Sequence, residues 1–499
     1  MKITLKVSKI SALDVDTLNL FLWEDDALLS FSELPQELIS SIKEASKRED
    51  FHAKTGEMLV VSSKGLISAY KIIITGLGKK EDFDSSSLSE QIAVSMRKSR
   101  EFKAAKAAIV LNEEILSKLG AKNASQIAVE SVNLSTYKFN KYKSEEEKNK
   151  NREIEEVVLV VPPSKLAQAE QGMNEGEIIS KAVLFTRDLV NEPPQLTTPS
   201  FLAEQAVKIG KNSKDAVRVK IMEKDEVEKL GMNAFLGVSR GSDEPPKFII
   251  LKYKPPHSKR KVAVIGKGIT FDTGGLSLKP SSSMETMKLD MAGAAAILGI
   301  FSVIWELKIP VELVGIVAAC ENMPSGKALK PGDILRAMNG KTIEVLNTDA
   351  EGRLTLADAI SYANQKEKPD EIIDLATLTG ACMVALGEDI AGLFGNNDKL
   401  QSDLEKASKE TGELIWRMPM EKKYKELNKS HIADVKNIST GKYAGSITAA
   451  LFLNEFAGKT TWAHLDIAGP SFMEKDTPLI PYGGAGFGVR LILRYLSSL

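Results

Sequence analysis

Two cysteines in 499 residues are too few for a disulfide framework or a thiolate metal site. Cys320 and Cys382 each sit inside an apolar run, so both are expected as buried free thiols in reducing surroundings. Histidine is almost as scarce. His52, His257, His431 and His464 form no close pair and no His-Glu-x-x-His, so imidazole-based metal chemistry lacks its ligands. His464, in the apolar run Trp462–Ile467, reads as a hydrogen-bonded core histidine. No Gly-x-Ser-x-Gly elbow is present to carry a serine nucleophile. Charge of either sign is missing in bulk: Lys plus Arg is 66 against Asp plus Glu at 67, a net charge of -1, which offers nucleic acid no general attraction. No run reaches the ~20 apolar residues needed to span a bilayer; Ala292–Leu307 is the best candidate and is too short. Met1–Val7 alternates like a strand and has no signal-peptide core. These absences point to a soluble, cytoplasmic protein whose polar chemistry rests on carboxylates, lysine and arginine.

What is present suggests an α/β chain of two domains. Residues 1–162 alternate short apolar runs with helical patterns and carry no carboxylate cluster, so they read as a structural or assembly domain. Lys141–Glu156, the most polar stretch, is expected as a surface loop or solvated hairpin. A helical pattern over 163–192, ended by Pro193-Pro194, reads as a linker helix. Residues 193–499 alternate strand and helix with near-continuous apolar strands, the pattern of a mostly parallel central sheet flanked by helices. In such sheets, ligands bind outside the carboxyl ends of the strands.

Two clusters fall at such ends. The strand Lys261–Ile265 is expected to run into a glycine loop, Gly266–Gly275, that presents Lys267 and Asp272. Lys279 and Asp290 follow, the latter just before the helix Ala292–Leu307. A second strand, Thr342–Leu346, delivers Asn347-Thr348-Asp349-Ala350-Glu351-Gly352-Arg353-Leu354. Asp272, Asp290, Asp349 and Glu351 would repel one another unless cations lay between them, and four carboxylates suit two divalent metals, with Arg353 left for an anion. A nucleotide loop is rejected: the glycine required five positions before Gly340-Lys341-Thr342 is Leu335, and before Gly458-Lys459-Thr460 it is Leu453. Asn339-Gly340 is expected as a type I′ hairpin turn.

These blocks resemble the leucyl aminopeptidases, the metallo-exopeptidases of family M17. The octapeptide at 347–354 matches their signature. Gly266–Gly275, Met287–Gly293, Asp374–Ala381, Trp462–Pro470 and Arg187–Pro194 fit in the right order. The resemblance implies a metal-dependent aminopeptidase that removes N-terminal residues, preferably leucine and other apolar ones, from peptides by means of a water activated between two metals. It implies one site of Asp272, Asp349 and Glu351 and another of Lys267, Asp272, Asp290 and Glu351. The ions would be zinc or manganese, with magnesium or cobalt able to replace them. As a ligand Lys267 would have to be neutral, its pKa pushed down by the cations. Lys279 would stabilise the oxyanion, and Arg353 would hold a bicarbonate acting as general base. Met287 and Thr377 would line the pocket for the first side chain, with Leu378 and Gly380 binding the peptide backbone. A homohexamer is also implied. The alternative within the family is a DNA-binding architectural protein, against which the balanced charge argues.

Overall fold

The computed structural model describes residues 1–24, 33–149, 153–439 and 441–499. Contacts divide the chain into two compact units: Met1–Lys181 with Lys475–Pro481, and Ala182–Glu474 with Tyr482–Leu499. The division falls inside one helix, Leu166–Asn191.

The first unit is built on six strands: β1 (Lys2–Lys6), β2 (Thr17–Leu22), β3 (Met58–Ser62), β4 (Lys71–Gly76), β5 (Lys106–Val110) and β6 (Glu156–Val160). Their order is β1-β6-β5-β2-β4-β3, with only β3 running antiparallel to its neighbour. Apolar side chains cover both faces: Phe21, Trp23 and Ile109 pack on one, and Leu18, Leu20 and Ile72 on the other. Two-sided burial of this kind explains strands that are apolar at nearly every position. Within the polar stretch Lys141–Glu156, Glu145–Asn149 form a short helix rather than loop, and residues 150–152 lie outside the described residues.

The second unit carries an eight-stranded sheet. Its strands are β7 (Val217–Met222), β8 (Lys247–Tyr253), β9 (Lys261–Asp272), β10 (Glu312–Asn322), β13 (Glu371–Ala376), β14 (Ala391–Gly395), β15 (Ile415–Arg417) and β17 (Thr461–Asp466). Between them in sequence, β11 (Ile334–Arg336), β12 (Thr342–Glu344) and β16 (Val435–Lys436) form a small separate sheet. The large sheet runs β15-β14-β17-β13-β9-β10-β8-β7. Its centre, β17-β13-β9-β10, is parallel, whereas β14 pairs antiparallel to β17 and β8 antiparallel to β10 and β7.

Two expectations need correction. Strand β9 does not stop at Ile265; it continues through Gly266-Lys267-Gly268 to Asp272. The first two glycines are there for close approach, not for a turn. A Cβ on Gly266 would lie 2.5 Å from the carbonyl carbon of Gly293, and one on Gly293 would lie 2.1 Å from the Leu375 carbonyl oxygen. Helix Ala292–Leu307 can therefore begin in backbone contact with β9 and β13, which brings Asp290, just before it, beside Lys267. Second, Ala337–Lys341 does join β11 to β12 as a hairpin, but Asn339 has negative φ while Gly340 stands at +92°. The turn is thus not type I′, which needs positive φ at both central residues.

The stretch Ser281–Leu307 is long and apolar enough to cross a membrane by length and composition, and an 18-residue window in it has a mean hydropathy of 1.7. Its apolar window is 78% buried inside the protein, the placement of a core helix.

Candidate metal centre and active site

Asp272 lies where the sheet rule puts a ligand, but Asp349 and Glu351 arrive from β12, which belongs to the small sheet and stops at Glu344 rather than Leu346. Asp272 closes β9, Asp290 precedes the helix that packs on it, and Glu351 immediately precedes helix Gly352–Tyr362. One oxygen from each of Asp272, Asp290 and Glu351 lies within 4.8 Å of the others, and all three residues are buried. Such crowding of acids in a dry site is tolerable only with cations present.

Two lysines supply positive charge. Lys267 Nζ lies 2.7 Å from Asp290 Oδ1 and 2.9 Å from Glu351 Oε1, and it donates to the Thr377 carbonyl at 2.9 Å. Lys279 Nζ lies 3.0 Å from Asp272 Oδ2 and 2.5 Å from Asp349 Oδ1. Asp349 is half-buried and stands outside the tight carboxylate trio; Lys279 joins it to Asp272.

Charge state follows from these neighbours. Burial pushes the carboxyls of Asp290, Glu351 and Asp349 above the usual range, with Lys267 and Lys279 pulling the other way. Burial would lower Lys267, but Asp290, Glu351 and Asp272 outweigh it and leave its ammonium more firmly protonated than usual. Lys279 is raised in the same way by Asp272 and Asp349. Two buried oxygens, Asp290 Oδ2 and Glu351 Oε2, still have no hydrogen-bond partner. Unsatisfied carboxylate oxygens of this kind fit a hard divalent cation.

The cluster opens into a cavity of about 630 Å³. Lys267, Asp272, Lys279, Asp290 and Asp349 line its polar side, and Met287, Leu289, Leu378, Met383 and Phe472 an apolar wall. Thr377 and Gly380 also line it. Glu351 and Arg353 are not on the wall. Glu351 is held inside by Lys267, and Arg353 is buried, donating from Nη1 to the Asn437 carbonyl at 2.6 Å. Arg353 Nε is buried without a partner, and burial depresses the guanidinium to about 10, so it remains cationic at neutral pH.

Several supporting residues escaped the sequence reading. Asp466, buried at the end of β17, accepts the N–H groups of Leu378 (3.2 Å) and Thr379 (3.3 Å) and the Thr379 hydroxyl (2.6 Å), which shapes the loop after β13. The Asn437 carboxamide accepts Leu346 N–H at 2.8 Å and donates to the Asn347 carbonyl at 2.6 Å, holding the loop that carries Asp349. A lone Asp or Asn gives no spacing signal; only the fold brings these residues to the site. Met383 and Phe472 were missed for the same reason. His464, by contrast, is the core histidine expected, its Nδ1 2.6 Å from Asp374 Oδ1.

The description "Cytosol aminopeptidase family, catalytic domain" matches residues 184–493, and the N-terminal domain of the same family matches residues 20–146. This chain belongs to the cytosol aminopeptidase family. Curated relatives agree over the whole length. A probable cytosol aminopeptidase of Alkaliphilus metalliredigens (strain QYMF) is 42% identical, covering 100% of both chains. One from Thermosynechococcus vestitus (strain NIES-2133 / IAM M-273 / BP-1) is 45% identical over 94% of this chain and 93% of its own. Among solved structures, a tomato leucine aminopeptidase mutant superposes with a TM-score of 0.89 at 35% identity, covering 100% of this chain and 97% of its own. The bottromycin maturation enzyme BotP in complex with Mn gives 0.84 at 30% identity, covering 97% and 99%. Membership of this family implies a metal-dependent aminopeptidase, a hydrolase, with the two-domain α/β architecture described above.

Proposed function

We propose that the protein removes leucine and other apolar residues from peptide N-termini, using two divalent ions that Lys267, Asp272, Asp290, Asp349 and Glu351 would hold. Lys267 would do so as a neutral amine that gives up its proton when cations replace it as the positive charge beside Asp290 and Glu351. The observation that carries this reading is the buried trio Asp272, Asp290 and Glu351, with two oxygens left unpartnered, opening onto an apolar-walled cavity. Zinc and manganese are the proposed ions, with magnesium or cobalt as substitutes; BotP, a structural relative, is a complex with Mn. When bound, such ions supply an activated water and polarise the scissile carbonyl.

The chain's own residues do the rest. Lys279, protonated and on the cavity wall, donates to the oxygen that becomes negative in the transition state, where a fixed charge in a dry site acts most strongly. The Arg353 cation, with an unpartnered Nε, is the group to hold a bicarbonate as general base. Met287, Thr377 and Phe472 shape the pocket for an apolar first side chain. The Leu378 N–H is already given to Asp466, so its carbonyl is what it can offer the peptide, with Gly380 beside it.

A homohexamer and a cytoplasmic location belong to the same reading. Exposed Trp416, Ile432 and Tyr443 give the catalytic unit apolar surface that an assembly would cover, and light scattering would report its mass. The free thiols of Cys320 and Cys382 suit a reducing compartment. The deciding assay is hydrolysis of leucine p-nitroanilide with added Mn²⁺ or Zn²⁺, repeated on Glu351→Ala. Activity lost in a folded variant supports the proposal. Full activity in the variant, or none in the wild type with any metal, overturns it.

A further inference from the structure

Asn322 ends β10 and is buried at 4% exposure, yet no motif includes it. Strands β9 and β10 stay in step as far as Cys320 opposite Ile269, then slip, so that Asn322 faces Asp272. Over that stretch β9 holds one residue more than β10. A bulge of this sort re-aims a side chain at the end of a strand.

Here it aims the Asn322 carboxamide at the carboxylate cluster. Nδ2 donates to Asp272 Oδ1 at 2.7 Å and to the Thr348 carbonyl at 3.0 Å, so both amide hydrogens are used. Oδ1 lies over Gly275, where a Cβ would come within 2.8 Å of it. The Asn322 carbonyl accepts both Thr273 N–H (3.0 Å) and the Thr273 hydroxyl (2.7 Å), which fixes the chain just after Asp272. Asp272 Oδ1 also accepts Gly274 N–H at 2.9 Å. With Oδ1 holding two donors, rotation of the carboxylate is set, and Oδ2 is the oxygen turned to Lys279.

The bond to Thr348 matters as much, because Thr348 precedes Asp349. One carboxamide thus ties the Asp272 strand end to the loop bearing Asp349 and Glu351. That tie is not the sole link between the loops. Thr348 Oγ1 donates to the Gly274 carbonyl at 2.6 Å and accepts Ser277 N–H at 2.8 Å. Loss of Asn322 therefore leaves the loops joined and removes chiefly the orientation of Asp272.

We propose that Asn322 is a positioning residue that fixes the rotation of the Asp272 carboxylate and its register against the Asp349–Glu351 loop, and so sets affinity for divalent metal. The inference rests on the assignment of Asp272 and Glu351 as metal ligands in the proposed function. Groups that orient a ligand typically change metal affinity ~10- to 100-fold when removed.

The test is calorimetric titration of Mn²⁺ into chelator-stripped full-length protein, as wild type, Asn322→Ala and the near-isosteric Asn322→Leu. Circular dichroism and thermal melts of the metal-free forms are recorded alongside. The expected result is ~10- to 100-fold weaker Mn²⁺ binding in both folded variants. At saturating Mn²⁺, kcat should fall while KM for leucine p-nitroanilide stays within about twofold of the wild type. A folded variant that binds Mn²⁺ as tightly as the wild type overturns the inference and leaves the proposed function standing. Failure of both variants to fold without metal also overturns it, because Asn322 would then serve the fold at large. A wild type that takes up no Mn²⁺ overturns the proposed function, and this inference with it.

Discussion

Lys267 Nζ lies 2.9 Å from Glu351 Oε1, a buried ion pair that joins the middle of β9 to the start of helix Gly352–Tyr362. The approach depends on Gly352, because a Cβ there would come within 2.4 Å of Lys267 Cε. Lys267 and Glu351 are thus forced together by a strand, a helix start and one missing side chain. The expected consequences follow from this packing.

Glu351→Ala should abolish nearly all hydrolysis, by ~1000-fold or more if it removes a ligand shared by two ions. The variant should keep its circular dichroism spectrum, since the large core around Ile265, Ile316 and Leu354 does not depend on the carboxylate. Rates with leucine p-nitroanilide and the spectrum together check this.

Lys279→Ala should lower kcat ~100- to 1000-fold while changing KM little, because its charge is needed where the oxyanion develops. Lys279 also neutralises Asp272 and Asp349, so the variant should bind divalent metal no more weakly than the wild type. Steady-state kinetics and a metal titration separate the two roles.

Stripping the metals with a chelator should remove activity, and Mn²⁺ or Zn²⁺ should restore it. Ions that bind only the folded chain also raise its melting temperature, by an amount that grows with the logarithm of ion concentration. A melting temperature indifferent to both ions would contradict the assignment of the buried carboxylates as ligands.

Gly266→Ala should destabilise by ~2–4 kcal/mol, because its Cβ would meet the backbone of Gly293, which cannot move aside cheaply. Gly352→Ala should cost less stability and more activity, since what it meets is the flexible end of Lys267. Urea denaturation and activity should rank the two variants in opposite orders.

Asp358 gives a pH prediction away from the metal centre. Its buried carboxylate accepts the N–H groups of Phe235 (2.8 Å) and Met338 (2.7 Å), yet burial outweighs them and pushes it from 3.8 up to about 7. As pH rises from about 4 to about 7 the unfolded chain ionises first, so this group's contribution to stability falls across that window and is level above it. Asp358→Asn does not titrate there. The wild type should therefore lose stability relative to the variant as pH climbs from 4.5 to 7, by an amount on the order of a few kcal/mol. Chemical denaturation of both proteins at several pH values measures the difference.

Much of this was legible in the sequence because its signals are local. The edge strands Met58–Ser62 and Val217–Met222 show the period-2 alternation of one-sided burial, and the central strand Glu371–Ala376 is buried at every position; residue type along the chain carries both patterns. Helix Ala292–Leu307 was equally plain. Asp272, Asp290, Asp349 and Glu351 stood out because carboxylates at strand ends need cations, and the order of the surrounding blocks named the family. The short strands Ala391–Gly395, Ile415–Arg417 and Val435–Lys436 left no such signal, because two to five residues carry too little periodicity.

Only the tertiary structure decided how the site is held. Sequence suggested a glycine loop at 266–275. Packing of Gly266 on Gly293 made its first half a strand, and left the turn to Gly274 and Gly275, with φ of +84° and +65°. Sequence named Arg353 without placing it, and the fold buries it against Asn437, off the cavity wall. Asn322, Asn437 and Asp466 became visible only in three dimensions. The sequence by itself determined which chemical groups are available and which family they mark, because residue type and spacing are local properties. Their orientation was decided by buried hydrogen bonds between segments far apart in the chain, and no local pattern encodes those.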